Sequence, residues 1–558
     1  MGVDTGRSVT YAARQLEKQL TSPVATLILI CATLGAIIYF LFLLQPGYRG
    51  DTLPYILVLV AEFFIICHGL ISFWTILSGR FNPRDFGFHH TQTSLFGKNT
   101  RAMVKELEHE RNTETLRALK PRIHNKVVGV DVFITVYGEP LDVVGQTAVA
   151  ARDMHGAHKT YILDDGKSDE VEAYARQIGV NYIRRAQNIH AKAGNINHAL
   201  SVTKGDYFII LDADFVPHPR FIYETLPFFD DDNLAFVQAP QYYSNQNNFV
   251  STAASFMQHV FYSLVQSGKN RFNAAFCVGT NVVFRRIAVE SVGGIYQKSK
   301  SEDIWTSLLL HENGFRSIYI NKVLAIGKTP ETIKAYSKQQ LRWATGSFEI
   351  LIRHNPLFSR KLTADQRLQY FGTTTFYFSG FAVAVLLLLP ILQIFFNLTP
   401  IALDIPLWQW AALYSGFYVS QIFLSMYTMG GLKIETLMLA AASFPIYIKA
   451  FFNAALRREQ AWQATNSIKS FDSPFNYIRI QTYIFVFLLV TTAVGFWKSL
   501  YTSEFSVSLA WCALNTFIIG YFVFVAIKES RRARLESKSR RKITAANQPL
   551  KTTEGAYY

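Results

Sequence analysis

Tyr207-Phe208-Ile209-Ile210-Leu211-Asp212-Ala213-Asp214-Phe215-Val216-Pro217 sets the reading of the whole chain. Its first half is an apolar run rich in β-formers, the pattern of a strand buried on both faces of a parallel sheet. Two carboxylates follow at the strand's C-terminal end, where open α/β sheets place their ligands. Asp-x-Asp at such an end can hold a hard divalent cation, and the cation can hold a diphosphate. The same spelling also arises in ordinary turns, so its surroundings have to decide.

Around it, from residue 130 to about 327, strand-like and helix-like segments alternate, the signature of an α/β domain. Strands are predicted over 132–136, 161–163, 182–183, 207–211 and 235–238. Outside this region the chain is apolar. It is 558 residues long, 50% hydrophobic and 17% charged, against roughly 25% charged in soluble proteins. Its mean hydropathy of +0.14 fits a chain that is part membrane and part globular. The four cysteines are far apart and match neither a disulfide framework nor a zinc spacing. The polar N-terminus shows no cleavable signal peptide.

Apolar spans are expected over 24–44 and 53–77, before the α/β domain, and over 371–396, 408–429, 478–497 and 507–527 after it. Basic residues flank the first pair on the outer ends of both spans, which puts both flanks in the cytosol. Glu62 and His68 fall inside the second span and are expected to pair with neighbouring helices. Residues 436–456 contain Pro445 and Lys449 and read as an interfacial or re-entrant helix, giving six crossings; seven crossings is the rival count. Much of the net charge of +15 sits in the tail, with Lys528, Arg531, Arg532, Arg534, Lys538, Arg540, Arg541 and Lys542 against Glu529 and Glu536. Directly after an apolar span, that cluster marks a cytosolic end near anionic lipid rather than a nucleic-acid surface.

The expected organisation is therefore a segment 1–77 with two membrane helices and a cytosolic linker 78–128 lying along the membrane face. A catalytic-type domain 129–350, an interfacial region 351–370, membrane helices over 371–527 and a basic tail 528–558 follow.

Four constellations fall in order on the α/β domain. Tyr137-Gly138-Glu139-Pro140 and Asp164-Asp165-Gly166 close the first two strands, where a nucleobase and ribose could bind, although both also read as plain strand-to-helix turns. Lys192-Ala193-Gly194-Asn195 offers a cation for phosphate and a glycine for close approach; the alternative is a helix start capped by Asn195. Asp212-Ala213-Asp214 comes third. In Ser301-Glu302-Asp303, Ser301 is a fitting N-cap with two acids in the first turn. A carboxylate there can be a general base, or merely favoured by the helix dipole. Beyond them, Gln339-Gln340-Leu341-Arg342-Trp343 offers a phosphate-binding guanidinium and a sugar-stacking ring, or a pair of membrane-interface anchors.

Asp-Asp-Gly, Lys-Ala-Gly-Asn, Asp-x-Asp, Phe276-Cys277-Val278-Gly279-Thr280, Ser-Glu-Asp and Gln-x-x-Arg-Trp in one order resemble the processive, membrane-embedded family 2 glycosyltransferases. They are similar to bacterial cellulose synthase; curdlan, mixed-linkage glucan, chitin and hyaluronan synthases share the plan. The resemblance covers 130–343 and, more loosely, the flanking spans. It implies an α/β domain of the cytosolic GT-A nucleotide-sugar type, inserted between transmembrane helices of an integral protein of the bacterial inner membrane.

By the same resemblance, Thr135, Tyr137, Glu139, Asp164 and Asp165 contact the uridine and Lys192 lies near the nucleotide. Asp212 and Asp214 bind the sugar nucleotide, Asp214 through Mg²⁺ or Mn²⁺. Asp303 is the general base. Gln339, Arg342 and Trp343 hold the diphosphate and floor the acceptor site, which Phe276, Cys277, Gly279 and Thr280 line. The implied partners are a UDP-sugar donor, the growing polysaccharide, the bilayer and an export or periplasmic subunit, with no nucleic acid.

The departures are specific. Ser301 stands where the cellulose synthases usually have Thr, and Val278 precedes Gly279. The candidate gating loop 457–475 keeps Trp462 and Thr465 but places Lys469 late. About thirty residues follow the last span, too few for a cyclic-di-GMP-binding PilZ domain. The expected product is a β-glucan made from UDP-glucose. The alternatives are a chitin- or hyaluronan-type synthase using UDP-N-acetylglucosamine or UDP-glucuronate, a non-processive transferase to a lipid carrier, and a nucleotide-binding membrane scaffold or transporter.

Overall fold

The computed structural model describes residues 22–79, 81–402, 406–458, 473–502 and 506–546. Val130–Val136 is the hub of its α/β domain. Within that strand Val132 and Ile134 join one apolar cluster while Phe133 joins another on the opposite face. Burial on both faces is what an unbroken apolar strand requires.

The strand lies inside a seven-stranded sheet. In spatial order the strands are Arg316–Tyr319, Leu234–Gln238, Val282–Arg285, Tyr207–Asp212, Val130–Val136, Lys159–Asp164 and Asn181–Ile183. All five predicted strands are present. The sheet is mixed rather than parallel, because Val282–Arg285 runs antiparallel to both of its neighbours. That inversion matters for function. An antiparallel strand begins where Tyr207–Asp212 ends, so it delivers Val278, Gly279 and Thr280 to the ligand end of the sheet. Asp212 N donates to Thr280 Oγ1 at 2.9 Å across this junction.

Residues 86–118 lie within the segment expected to be a linker. They form helices Phe86–Ser94, Thr100–His109 and Thr113–Ala118, whose Phe88, Val104 and Leu116 enter the domain core. Phe88 packs on Phe228 with ring centroids 4.3 Å apart, and Thr91 Oγ1 donates to Asp230 Oδ1 at 2.8 Å. These apolar residues are too widely spaced to show as one amphipathic stripe, which is why the segment reads as polar in sequence.

Six helices among the described residues are long and apolar enough to cross a membrane: Pro23–Leu43, Thr52–Ser78, Ala364–Phe396, Ile434–Ala455, Arg479–Thr502 and Val507–Ala533. The number agrees with expectation, but the membership does not. Leu407–Met429 is a helix without being one of the six. Ile434–Ala455, read as interfacial, is one of them and the most buried by protein. It breaks at Ser443, and its second half, Phe444–Ala455, lies along the helix Ile333–Arg353. Glu62 and His68 are paired as expected. Tyr418 Oη donates to Glu62 Oε2 at 2.6 Å, and His68 Nε2 lies 3.0 Å from Thr375 Oγ1.

Candidate active site

The site is a solvent-open cleft at the C-terminal ends of the central strands. Thr135 and Asp212 face each other in register near the ends of neighbouring parallel strands, and Thr135 Oγ1 donates to Asp212 Oδ1 at 3.1 Å. The chain turns immediately after Asp212, with Phe215 N donating to Asp212 O at 3.1 Å, which leaves Asp214 in the turn facing the cleft.

Lys192 reaches the same point from the first turn of helix Ala191–Val202. Its Nζ donates to the Asp212 carboxylate and to the Gly279 carbonyl, the latter at 2.8 Å. Gly279 has φ +85°, a left-handed conformation that costs glycine nothing. A Cβ there would lie 3.4 Å from Asp303 Oδ2, so the base candidate faces this turn.

Asp303 belongs to the first turn of helix Glu302–Glu312, and its Oδ1 accepts from Ile304 N at 2.8 Å. Desolvation pushes its pKa up to about 7, helped by the Glu302 charge and opposed by the Ile304 amide, Arg342 and Lys192. A carboxyl group held near neutrality suits proton abstraction. Ser301 occupies the N-cap position, but its hydroxyl makes no capping bond. It packs instead against Gly346, where a Cβ would overlap it.

Gln339, Arg342 and Trp343 recur at i, i+3 and i+4 along Ile333–Arg353 and all line the cleft. Thr332 caps that helix, its Oγ1 accepting from Ala335 N at 3.1 Å.

Tyr137, Glu139 and Asp165 also line the cleft. Glu139 Oε2 accepts from Tyr137 N at 2.6 Å. Burial raises the Glu139 pKa, and the charges of Asp212 and Asp164 add to the effect. Asp164 does not face the cleft. It is buried and closes its own loop, accepting from Gly166 N at 2.7 Å, Ser168 N at 2.8 Å and Tyr182 Oη at 2.9 Å. Phe276, Cys277 and Thr280 are likewise buried outside the lining. Phe276 packs with Trp305 and Leu308, and Cys277 N donates to Ser307 Oγ at 2.8 Å. From that motif Val278 and Gly279 form the wall. Trp462 and Thr465 lie outside the described residues.

Sequence reasoning missed Arg185. Its Nε and Nη2 grip Asp165 at 2.6 Å each, and Nη1 donates to Ile189 O at 2.6 Å. This explains Gly194: a Cβ there would overlap the Ile189 oxygen and come within 2.6 Å of Arg185 Nη1. Asn195 is not a helix cap but a buried donor to Leu163 O at 3.0 Å. Gln241, Tyr243, Lys300, Lys328 and Pro330 complete the wall. No motif marked them.

The donor set fits a hard divalent cation. The Asp214 pKa rises to about 7, first through burial and then through the charges of Asp212 and Glu139. A cation on Asp214 would relieve that repulsion. Among the described residues, no group of three or more His, Cys, Asp or Glu side chains forms a ready-made metal cage. That suits an ion held by one or two carboxylates and completed by substrate phosphates.

The model for "Glycosyl transferase family group 2" matches residues 207–424. The chain is 38% identical over 260 residues to the cellulose synthase catalytic subunit [UDP-forming] of Xanthomonas axonopodis pv. citri (strain 306), covering 45% of this chain and 36% of that one. It is 36% identical over 277 residues to the subunit of the same name from Pseudomonas fluorescens (strain SBW25), covering 48% and 38%. The matches thus span little more than a third of those relatives' length. Among solved structures, the mannosyltransferase PcManGT from Pyrobaculum calidifontis, in complex with GDP-Man and Mn²⁺, is similar at TM-score 0.43 and 14% identity. That similarity covers 67% of this chain and 99% of the other.

Proposed function

We propose that the chain is a processive, inverting glycosyltransferase that builds a β-linked glucan from UDP-glucose on the cytosolic side and translocates it across the membrane. One observation carries the reading: Lys192, Asp212, Gly279 and Asp303, from four separated segments, converge in the cleft that Gln339, Arg342 and Trp343 floor. The similarity to UDP-forming cellulose synthase subunits supports the donor class.

In this reading Thr135, Tyr137, Glu139 and Asp165 form the nucleoside end of the cleft, with Asp164 holding the Asp165 loop from behind. Asp214 would hold Mg²⁺ or Mn²⁺, which when bound supplies counter-charge to the departing diphosphate. Lys192 fixes the Asp212 carboxylate against the donor, and Arg342 supplies planar donors for phosphate oxygens. Asp303 takes the proton from the acceptor hydroxyl as that oxygen attacks the anomeric carbon; UDP departs from the opposite side, and the linkage inverts to β. Trp343 offers an apolar ring face to the acceptor sugar. The helices after residue 364 would then receive the lengthening chain, with the catalytic domain and basic tail on the cytosolic side.

Membranes containing the protein, given labelled UDP-glucose, UDP-N-acetylglucosamine or UDP-glucuronate with Mg²⁺ or Mn²⁺, test this. A polymer from UDP-glucose that a β-glucanase degrades is expected. A lipid-soluble product would point to a non-processive transferase, and no product from any donor would overturn the reading.

A further inference from the structure

The helix that carries Gln339, Arg342 and Trp343 begins at Ile333, and the partner of its first amide comes from far along the chain. Ile333 N donates to Glu529 Oε2 at 2.9 Å, and Glu529 lies 196 residues away on the C-terminal helix Val507–Ala546. The first four amides of a helix have no partner inside it. Here Thr332 takes the amide of Ala335 and Glu529 takes that of Ile333. A carboxylate is favoured at this end by the helix dipole.

The C-terminal helix touches a second helix start beside the first. Phe249, which opens helix Phe249–Val260, packs on Tyr521 and Phe522 with ring centroids 5.5 and 6.5 Å away. The two starts are tied together, since Asn248 Nδ2 donates to Glu331 O at 3.1 Å. Between them runs the loop that gives Lys328 and Pro330 to the cleft, pinned where Thr329 N donates to Asn245 Oδ1 at 2.8 Å. Gln339 follows Ile333 by six residues, about 9 Å along the helix axis. A tilt of the first turn therefore displaces both the loop and the side chains of the cleft floor.

We infer that Glu529 is a positioning residue for transfer, holding the Ile333–Arg353 helix in register with the cleft from the last membrane-crossing helix. This rests on the reading of Gln339, Arg342 and Trp343 as the diphosphate and acceptor floor. Glu529 does not line the cleft. Its contribution is the fixed start of the helix, so a shift of the C-terminal helix is felt at the cleft without any contact to substrate.

The test uses the full chain in lipid nanodiscs, comparing Glu529→Ala and Glu529→Gln with the parent by amide hydrogen exchange and by transfer from UDP-glucose. In Glu529→Ala, exchange over 333–337 is expected to quicken about tenfold, with helix Glu302–Glu312 unchanged as an internal control. Its kcat should fall about tenfold while KM stays within about twofold, because the floor is displaced rather than removed. Glu529→Gln keeps an oxygen for the Ile333 amide and should recover both readouts to within about threefold of the parent. Glu529→Asp, one methylene short, supplies a graded variant if Glu529→Ala is not recovered folded. Parental exchange or parental kcat in Glu529→Ala would overturn the assignment. So would a Glu529→Gln as impaired as Glu529→Ala with both melting temperatures lowered equally, which marks a merely structural group. If the parent itself makes no product from UDP-glucose, the UDP-glucose transferase reading fails, while the exchange arm still decides whether Glu529 fixes the helix.

Discussion

Lys192 and Gly279 are joined at the edge of the cleft: the Lys192 ammonium donates to the Gly279 carbonyl at 2.8 Å while pairing with the Asp212 carboxylate. One side chain thus ties the strand-end acid to the turn that faces Asp303. Lys192→Met, similar in length but without the charge, should free that turn and leave Asp212 without its counter-charge. A fall in kcat/KM of about 100-fold or more is expected, with Lys192→Arg recovering part of it. Steady-state transfer assays check this, and a parental rate in Lys192→Met would remove the lysine from the site.

The Asp303 pKa, raised to about 7 chiefly by burial and the Glu302 charge, makes the rate pH-dependent. A base acts only when ionised, so the rate should fall about tenfold per pH unit as pH drops below about 7 and level off above it. Arg342 holds this pKa down, so Arg342→Met should move the limb to higher pH as well as weaken diphosphate binding. A pH–rate profile of both proteins decides; a limb that stays in place would detach Arg342 from Asp303.

Gly346 and Ser301 give a packing test. A Cβ at Gly346 would overlap Ser301 Oγ and Cβ, so Gly346→Ala should displace the start of the base helix and reduce kcat by about tenfold or more. Adding Ser301→Gly removes both overlapping atoms and should restore most of the rate. No rescue in the double variant would place the cause elsewhere.

Arg185 and Asp165 are a buried pair, so removing one partner strands the other's charge. Arg185→Ala should cost about 3–5 kcal/mol of domain stability and loosen the nucleoside end of the cleft. Thermal unfolding with and without UDP measures both effects; an unchanged melting temperature would contradict the pairing.

What could be read from sequence followed local rules. Tyr207–Asp212 is buried on both faces and ends in its acids at the cleft, and Asp303 and the Gln339–Trp343 face are helical positions set by short spacings. What escaped depends on tertiary placement. Whether Val282–Arg285 runs parallel or antiparallel is not written in its own residues. The side chains of Asp164 and Asp165 leave the strand end in different directions, and only the fold shows that Asp164 turns inward. Arg185 meets Asp165 from twenty residues away at no motif spacing. Phe276 and Cys277 look like wall residues because they belong to the motif, yet apolar side chains beside a core are drawn into it, leaving Val278 and Gly279 at the surface.

The most direct test of the account is Asp303→Asn in the full chain, measured for glucosyl transfer from labelled UDP-glucose and, on the same preparation, for UDP binding. The side chain keeps its size and loses its proton affinity, so transfer should fall by at least about 100-fold while the UDP dissociation constant stays within about threefold of the parent. Transfer at the parental rate would contradict the assignment of Asp303 as base, and with it the mechanism proposed for this cleft.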